Sequence, residues 1–202
     1  MSSSDHWNAV YATRPEGDLS WFEDTPVRSL SWVADTGSSH ADAVIDIGGG
    51  VSSLAPALIS EGYLDVTVLD VSDVAVKRQI ALQPLIQGIV ADITNWEPQR
   101  QYDVWHDRAV LHFLDTPEAV ASYRRALDLA VSPGGHVIIA TFAPDGPARC
   151  SGLAVRRYAM DDLIEVLGPE YQPETSETFA HQTPTGAVQS FHIGRFRRSE
   201  VG

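Results

Sequence analysis

Three consecutive glycines, Gly48, Gly49 and Gly50, close the apolar and acidic run in the stretch VIDIGGGVSS. Bare backbone admits a ligand where side chains would block it, and a phosphate, a dinucleotide or a sulfonium nucleoside could each exploit it. Acids recur around this loop. Asp46 stands two residues before the first glycine, Asp70 lies 22 residues after it, and Asp92 another 22 beyond. A phosphate-transfer loop needs Lys and then Ser or Thr after its glycines, and no lysine is near Ser52 and Ser53. A dinucleotide loop, G-x-G-x-x-G, wants glycine where Ser53 stands, which leaves that reading weak. Asp46 would repel a pyrophosphate and suits an ammonium group, directly or through water. Asp70 suits ribose hydroxyls in either nucleotide family. Asp92, with Ile93 beside it, offers an acceptor and an apolar wall to an adenine ring.

The elements that must position these residues alternate. Short β-rich runs are expected at 43–47, 65–69, 88–91, 102–106 and 136–142, with helices at 54–60, 74–82, 117–130 and 160–167 between or after them. Ser52 or Ser53 can cap the helix at 54–60, and Pro56 falls in its first turn. Ser132-Pro133-Gly134-Gly135 reads as a turn. Two strand-like runs, 171–179 and 187–196, flank HQTPTG and suggest a terminal antiparallel hairpin. The fold class expected is α/β: a doubly wound, Rossmann-like, mostly parallel sheet with helices on both faces and that hairpin at its end. Ligands on such sheets bind beyond the carboxyl ends of the strands, where the glycine loop, Asp70, Asp92 and His106-Asp107-Arg108 all fall.

Composition narrows the partners. A net charge of -13 disfavours a nucleic-acid surface, and the basic cluster Arg195, Arg197 and Arg198 reads as an exposed strand end. No apolar run approaches ~18 residues, so no membrane span is expected, and nothing early reads as a signal peptide. The single cysteine, Cys150, fits a reducing, cytoplasmic setting, and the histidines show no metal-ligand spacing, so no metal is expected. Residues 1–40 carry Trp7, Tyr11, Trp21, Phe22 and Trp32 among Ser, Asp and Pro, with a helix near 27–35. Such aromatic density argues for an ordered cap or lid rather than a disordered tail. One domain over 1–202 is expected, with 1–40 as cap and 41–202 as core, acting as a monomer or weak homodimer.

The motifs DIGGGVSS, VTVLDVS, VADI, YDVWHDRAVLHFL and SPGGHVIIATF, in this order and spacing over residues 43–143, resemble the class I S-adenosylmethionine-dependent methyltransferases. The N-terminal HWNAVYATRPEGDLSWFEDTP resembles, more loosely, the start of small methyltransferases that act on small molecules or on protein lysines. The resemblance implies S-adenosylmethionine as cofactor. It implies that Asp46, Gly48 and Gly50 hold the methionine part, that Asp70 and Val71 hold ribose and adenine, and that Asp92 and Ile93 receive the adenine. It places Asp107 near the cofactor's amino group, and folds Trp7, Tyr11 and Trp21 over the cofactor. The sequence departs from relatives that carry glycine at Ser52, and lacks the Asn-Pro-Pro-Tyr signature of many amino-group methyltransferases.

Each residue also has a plainer reading. Aspartates are common at strand ends, Trp7 and Tyr11 stand at helical spacing, and His106-Asp107-Arg108 suits a structural ion pair. Arg108 and His112 are the residues expected on the substrate side, with His106, Asp107, His112 and His181 as candidate bases. The expected activity is methyl transfer to a small-molecule nucleophile, S, N or O, by in-line displacement. The alternatives are a protein-lysine methyltransferase or a non-catalytic cofactor-binding partner subunit.

Overall fold

The early strand candidates are near-continuous apolar runs, as suits strands buried on both faces, and a period of two decides which side chains each face of the sheet receives. The computed structural model describes residues 3–200. An N-terminal helix α1 (Ser3–Thr13) leads to α2 (Val27–Ala34). There follow β1 (Ala43–Ile47), α3 (Leu54–Ser60), β2 (Asp65–Asp70), α4 (Asp73–Leu82), β3 (Gln87–Val90) and β4 (Tyr102–Arg108). The chain continues with α5 (Pro117–Ala130), β5 (Val131–Phe142), a small hairpin of β6 (Arg149–Cys150) and β7 (Leu153–Ala154), α6 (Met160–Leu167), β8 (Tyr171–Gln182) and β9 (Val188–Arg198).

The main sheet has seven strands in the order β3-β2-β1-β4-β5-β9-β8. The first five run parallel, and β9 and β8 close the far edge antiparallel. The chain winds outward from β1 to β3, then returns to start β4 beside β1, so the switch point lies between β1 and β4. The expected fold class holds, including the terminal hairpin.

One face receives Ile45, Ile47, Trp105, Val137 and Ile139, packed against Leu127 of α5 and Leu163 of α6. The other receives Val44, Val66, Val104 and Ile138, packed against Trp32 of α2 and Leu58 of α3. A third cluster, Val10, Tyr11, Leu19, Val51 and Ala75, ties α1 onto the glycine loop and α4. Removing each such side chain from water is worth about 1.5–3 kcal/mol, which is why these three contacts fix the layers.

Three local expectations need revision. Residues 132–135 are not a turn between elements. They loop out inside β5, because Tyr102 pairs with Val131 and Val104 next pairs with His136, leaving the intervening residues without a partner on β4. Gly134, at φ +76°, makes that excursion possible. The cap also begins with a full helix, α1, ahead of the expected one. The 144–160 segment, where no strand is expected, carries the β6–β7 hairpin, whose two-residue turn has Ser151 at φ +51° and Gly152 at φ +82°. Positive φ at both central residues matches the twist of a tight hairpin.

Candidate functional site

A cavity of about 470 Å³ crosses the carboxyl ends of the strands at the switch point. It runs from Ala91, Asp92 and Ile93 after β3, past Asp70 and Val71 after β2 and Gly48 after β1, to Arg108, Ala109 and Val110 after β4. Its far end is walled by Phe142 of β5, Cys150, Leu153 and Ala154 of the small hairpin, and Gln189 and Phe191 of β9. Trp7, Tyr11, Trp21 and Phe113 line it as well. Trp7 sits edge-on to Trp21 (ring centroids 5.7 Å apart) and to Phe113 (5.3 Å), with Tyr11 at 6.1 Å.

The glycine loop is shaped first by the protein's own side chains. A Cβ on Gly48 would collide with Val110, and one on Gly50 with the Tyr11 hydroxyl. A Cβ on Gly49 would come within 2.7 Å of Asp46 Oδ2 and 2.9 Å of Val68 Cγ1. Gly48 and Gly50 have φ of +64° and +51°, which L side chains rarely adopt. The loop therefore needs glycine at three successive positions for three different reasons. Of the two serines after it, Ser52 Oγ accepts the Leu54 N–H at the start of α3 (3.1 Å). Ser53 offers α3 no side-chain cap and instead donates to the Glu23 carbonyl (2.6 Å), tying the cap segment to the loop.

Asp46 points to the face that carries α2 and α3. Its Oδ1 accepts from His106 Nδ1 (2.8 Å), and His106 Nε2 faces the Ser29 hydroxyl of α2 (3.0 Å). Asp46 Oδ2 is buried and has no hydrogen-bond partner, so one acceptor of a buried carboxylate is left for a donor from outside the chain. Asp70 Oδ1 accepts the Ser72 N–H (2.7 Å). Burial pushes its carboxyl up to about 7, against the Ser72 and Gly50 N–H groups, with the negative field of Asp46 adding to the rise. Burial, and then Asp70 and Asp46, also raise the Tyr11 hydroxyl. Asp92 Oδ1 accepts from Thr94 N (2.9 Å) and Thr94 Oγ1 (2.7 Å).

Trp7, Tyr11, Trp21, Gly48, Asp70, Val71, Asp92, Ile93 and Arg108 thus line one cavity, while Asp46, Gly50, Asp107 and His112 do not. Period two explains Asp107. Val104 and His106 face α2 and α3, whereas Trp105 and Asp107 face α5. There Asp107 accepts from the Tyr123 hydroxyl (2.7 Å), Val110 N (2.8 Å) and Leu111 N (3.1 Å). It anchors the turn after β4, away from the place expected of it. Burial raises it to about 6, opposed by those donors.

His112 also stands apart from the substrate side expected of it. It packs behind the wall, 4.4 Å from the Phe113 ring and 4.9 Å from the Phe142 ring, with both ring nitrogens buried and unpartnered. Burial lowers its pKa to about 3, so it is neutral and has no path to a substrate proton. Arg108 reaches the cavity but is already engaged. It donates to Glu23 Oε2 (2.6 Å) and to the Trp21 carbonyl. His181 Nε2 donates to the Ser20 carbonyl (2.8 Å), and its Nδ1 lies 3.3 Å from Glu23 Oε1. Arg108 and His181 together latch the 20–23 segment over the site.

Reading the chain missed Phe113, Cys150, Leu153, Gln189 and Phe191. The Ser151-Gly152 pair was the available signal for the hairpin that carries two of them. Ala109, at φ +76°, gave none: nothing in its side chain announces the left-handed turn that ends β4 at the cavity. Among the described residues no group of three or more His, Cys, Asp or Glu is arranged to hold a metal, and no helix is long and apolar enough to cross a membrane.

A family model described as a methyltransferase domain matches residues 27–180. A Drosophila melanogaster protein named as an eEF1A lysine and N-terminal methyltransferase homolog is 25% identical over an alignment of 149 residues that covers 68% of this chain. The chain spans only 22% of that relative's length. A structure solved in work on conversion of a disulfide bond into a thioacetal group during echinomycin biosynthesis superposes with a TM-score of 0.76 and 22% identity, over 100% of this chain and 93% of the other. The Burkholderia thailandensis 1,6-didemethyltoxoflavin-N1-methyltransferase, with bound 1,6-didemethyltoxoflavin and S-adenosylhomocysteine, gives 0.72 at 18% identity, over 98% and 92%. At these identities the two structures speak to the fold.

Proposed function

This chain belongs to the methyltransferase-domain family and is an S-adenosylmethionine-dependent methyltransferase, and from that premise we propose that its acceptor is a small molecule. The observation that carries the proposal is the cavity itself. About 470 Å³ lies within the usual range for small-ligand sites. It has carboxylates toward one end, aromatic and aliphatic walls at the other, and the cap segment latched across it.

The residues fit the cofactor. Asp46 Oδ2, buried without a partner, suits the ammonium of the methionine part, beside the bare backbone of Gly48 and Gly50. Asp70 suits the ribose hydroxyls, Val71 the adenine side, and Asp92 with Ile93 the adenine ring and its amine. Trp7, Tyr11 and Trp21 cover that ligand. Asp107 holds the backbone that leads to Val110 and Phe113. When bound, the cofactor supplies an electrophilic methyl group on a sulfonium. The chain's own contribution is to orient the acceptor in line, to exclude water with the aromatic cap, and to hold charge in a low-dielectric cavity. In this reading 1–40 act as the cap and 41–202 as the core of one functional unit, working in the cytoplasm as a monomer or weak homodimer.

Methylation of a protein amine is the second reading, favoured by the Drosophila relative. Incubation with labelled-methyl S-adenosylmethionine and a size-separated cell extract distinguishes the two. Label in the small-molecule fraction is the expected result. Label confined to protein overturns the small-molecule reading, and label in neither fraction favours a non-catalytic partner subunit.

A further inference from the structure

The two ends of the cavity differ in chemistry. The end formed by β5, the β6–β7 hairpin and β9 presents Phe142, Cys150, Leu153, Ala154, Gln189 and Phe191, with neither a carboxylate nor an imidazole among them. The carboxylates that do line the cavity, Asp70, Asp92 and Asp115, come from segments following β2, β3 and β4. Among the described lining residues Arg108 carries a guanidinium, which is paired with Glu23 and donates to the Trp21 carbonyl. Cys150 is held as a thiol, because burial raises it. His106, His112 and His181 do not line the cavity. His6, which does, lines it from α1 rather than from the β5, hairpin and β9 end, and its Nε2 is buried without a partner. Beside this base-free end stand four aromatic rings, Trp7, Tyr11, Trp21 and Phe113, with neighbouring centroids 5.3–6.4 Å apart. Aromatic faces attract cations, most strongly where water is excluded.

We propose that the acceptor atom is a neutral lone-pair donor with no proton to lose, a thioether sulfur or an aromatic or tertiary nitrogen, which leaves the site as a cation. The acceptor's lone pair bonds to the methyl carbon as the donor's carbon–sulfur bond breaks, its pair staying on sulfur. The positive charge passes to the acceptor and no proton is released. Such a reaction needs no general base, and it keeps one positive charge in the site throughout, which the aromatic rings accommodate. A phenol or a protonated amine would instead need a base that this end does not supply. The inference rests on the methyltransferase reading above and narrows it to one class of acceptor.

Binding tests it apart from turnover. N-methylisoquinolinium and 2-methylnaphthalene share a shape and differ in charge. Equilibrium dialysis against protein loaded with S-adenosylhomocysteine should show the cation binding about fivefold tighter or more, as cation–π attraction of this kind implies. In Phe113→Leu that preference should fall below about twofold while S-adenosylhomocysteine still binds. Equal binding of the two probes overturns the proposal. So does a preference that survives Phe113→Leu undiminished, since it would then come only from the overall acidity of the protein. At saturating donor, methyl transfer to isoquinoline or thioanisole should be flat from about pH 7 to about pH 9. A rate that rises with one ionisation and loses that rise in His6→Gln overturns it. Failure to bind S-adenosylhomocysteine at all sinks the cofactor reading, whereas binding without cation preference sinks this proposal alone.

Discussion

Asp70→Asn should make the ligand-free protein more stable at pH 8 and a poorer binder of S-adenosylhomocysteine. The carboxyl is raised from its ordinary 3.8 to about 7 because it is buried, and the nearby Asp46 adds to the rise. Between those values the folded chain holds a proton that the unfolded chain has released. Stability therefore falls as pH rises from about 4 to about 7, and the penalty is complete above that. At about 1.4 kcal/mol per pH unit the ceiling is about 4 kcal/mol. The amide keeps an acceptor for the Ser72 N–H but not the full fit, so a gain of about 2 kcal/mol is expected, or about 4–8 °C in Tm for a chain of this size. Thermal melts of wild type and variant at pH 8 and pH 5 give the reading. The gain should shrink at pH 5, where the wild-type carboxyl is protonated. For wild type, S-adenosylhomocysteine affinity should weaken about tenfold from pH 8 to pH 6, because a proton competes with the ribose for the carboxylate. A variant equally destabilised at both pH values would refute the charge argument, and an unchanged affinity would refute the ribose assignment.

Further outcomes follow from the same geometry. Gly49→Ala should displace the Asp46 carboxylate or Val68, costing about 1–3 kcal/mol of stability and about tenfold in S-adenosylhomocysteine affinity by calorimetry. His112→Phe should remove an acid sensitivity: the buried imidazole is lowered to about 3, so wild type loses stability as pH falls below its ordinary 6.5, up to about 5 kcal/mol by pH 3. Acid melts of the variant should be shallower, and its methyl transfer at pH 8 should persist. Glu23→Gln should release the latch, seen as faster amide exchange at residues 20–23 with a loss of about 1 kcal/mol or less in global stability. Burial would raise the Glu23 carboxyl, but His181 and Arg108 outweigh it and hold it below its ordinary 4.5. The latch is therefore complete above that value and weakens as pH falls through the lowered one.

The parallel sheet was legible because apolar strand runs and helix periods alternate from residue 43 onward, and because acids punctuate the strand ends. Asp70, Asp92 and Arg108 were legible at the cavity for the same reason, and Trp7, Tyr11 and Trp21 through the aromatic density of residues 1–40 and the family resemblance. Asp107 was misplaced because a strand's end was located correctly but its facing was not: one residue of register exchanges the cavity side for Tyr123. His112 was expected on the substrate side, close in sequence to Arg108, while the short turn after Asp107 tucks it behind Phe113 and Phe142. Gly49 was read with its neighbours as bare backbone open to a ligand, whereas its reason lies in Asp46 and Val68, contacts that only the assembled sheet creates. The far wall was invisible because its residues are mostly ordinary apolar ones gathered from β5, β9 and the small β6–β7 hairpin.

A co-crystal structure with S-adenosylhomocysteine tests the site most directly. The adenosine should lie between Asp70 and Asp92 against Ile93, the amino group should reach Asp46 Oδ2, and the sulfur should face the Phe113 and Trp21 end of the cavity. A ligand bound elsewhere, or with its adenine against Phe142 and Phe191, would contradict the assignment.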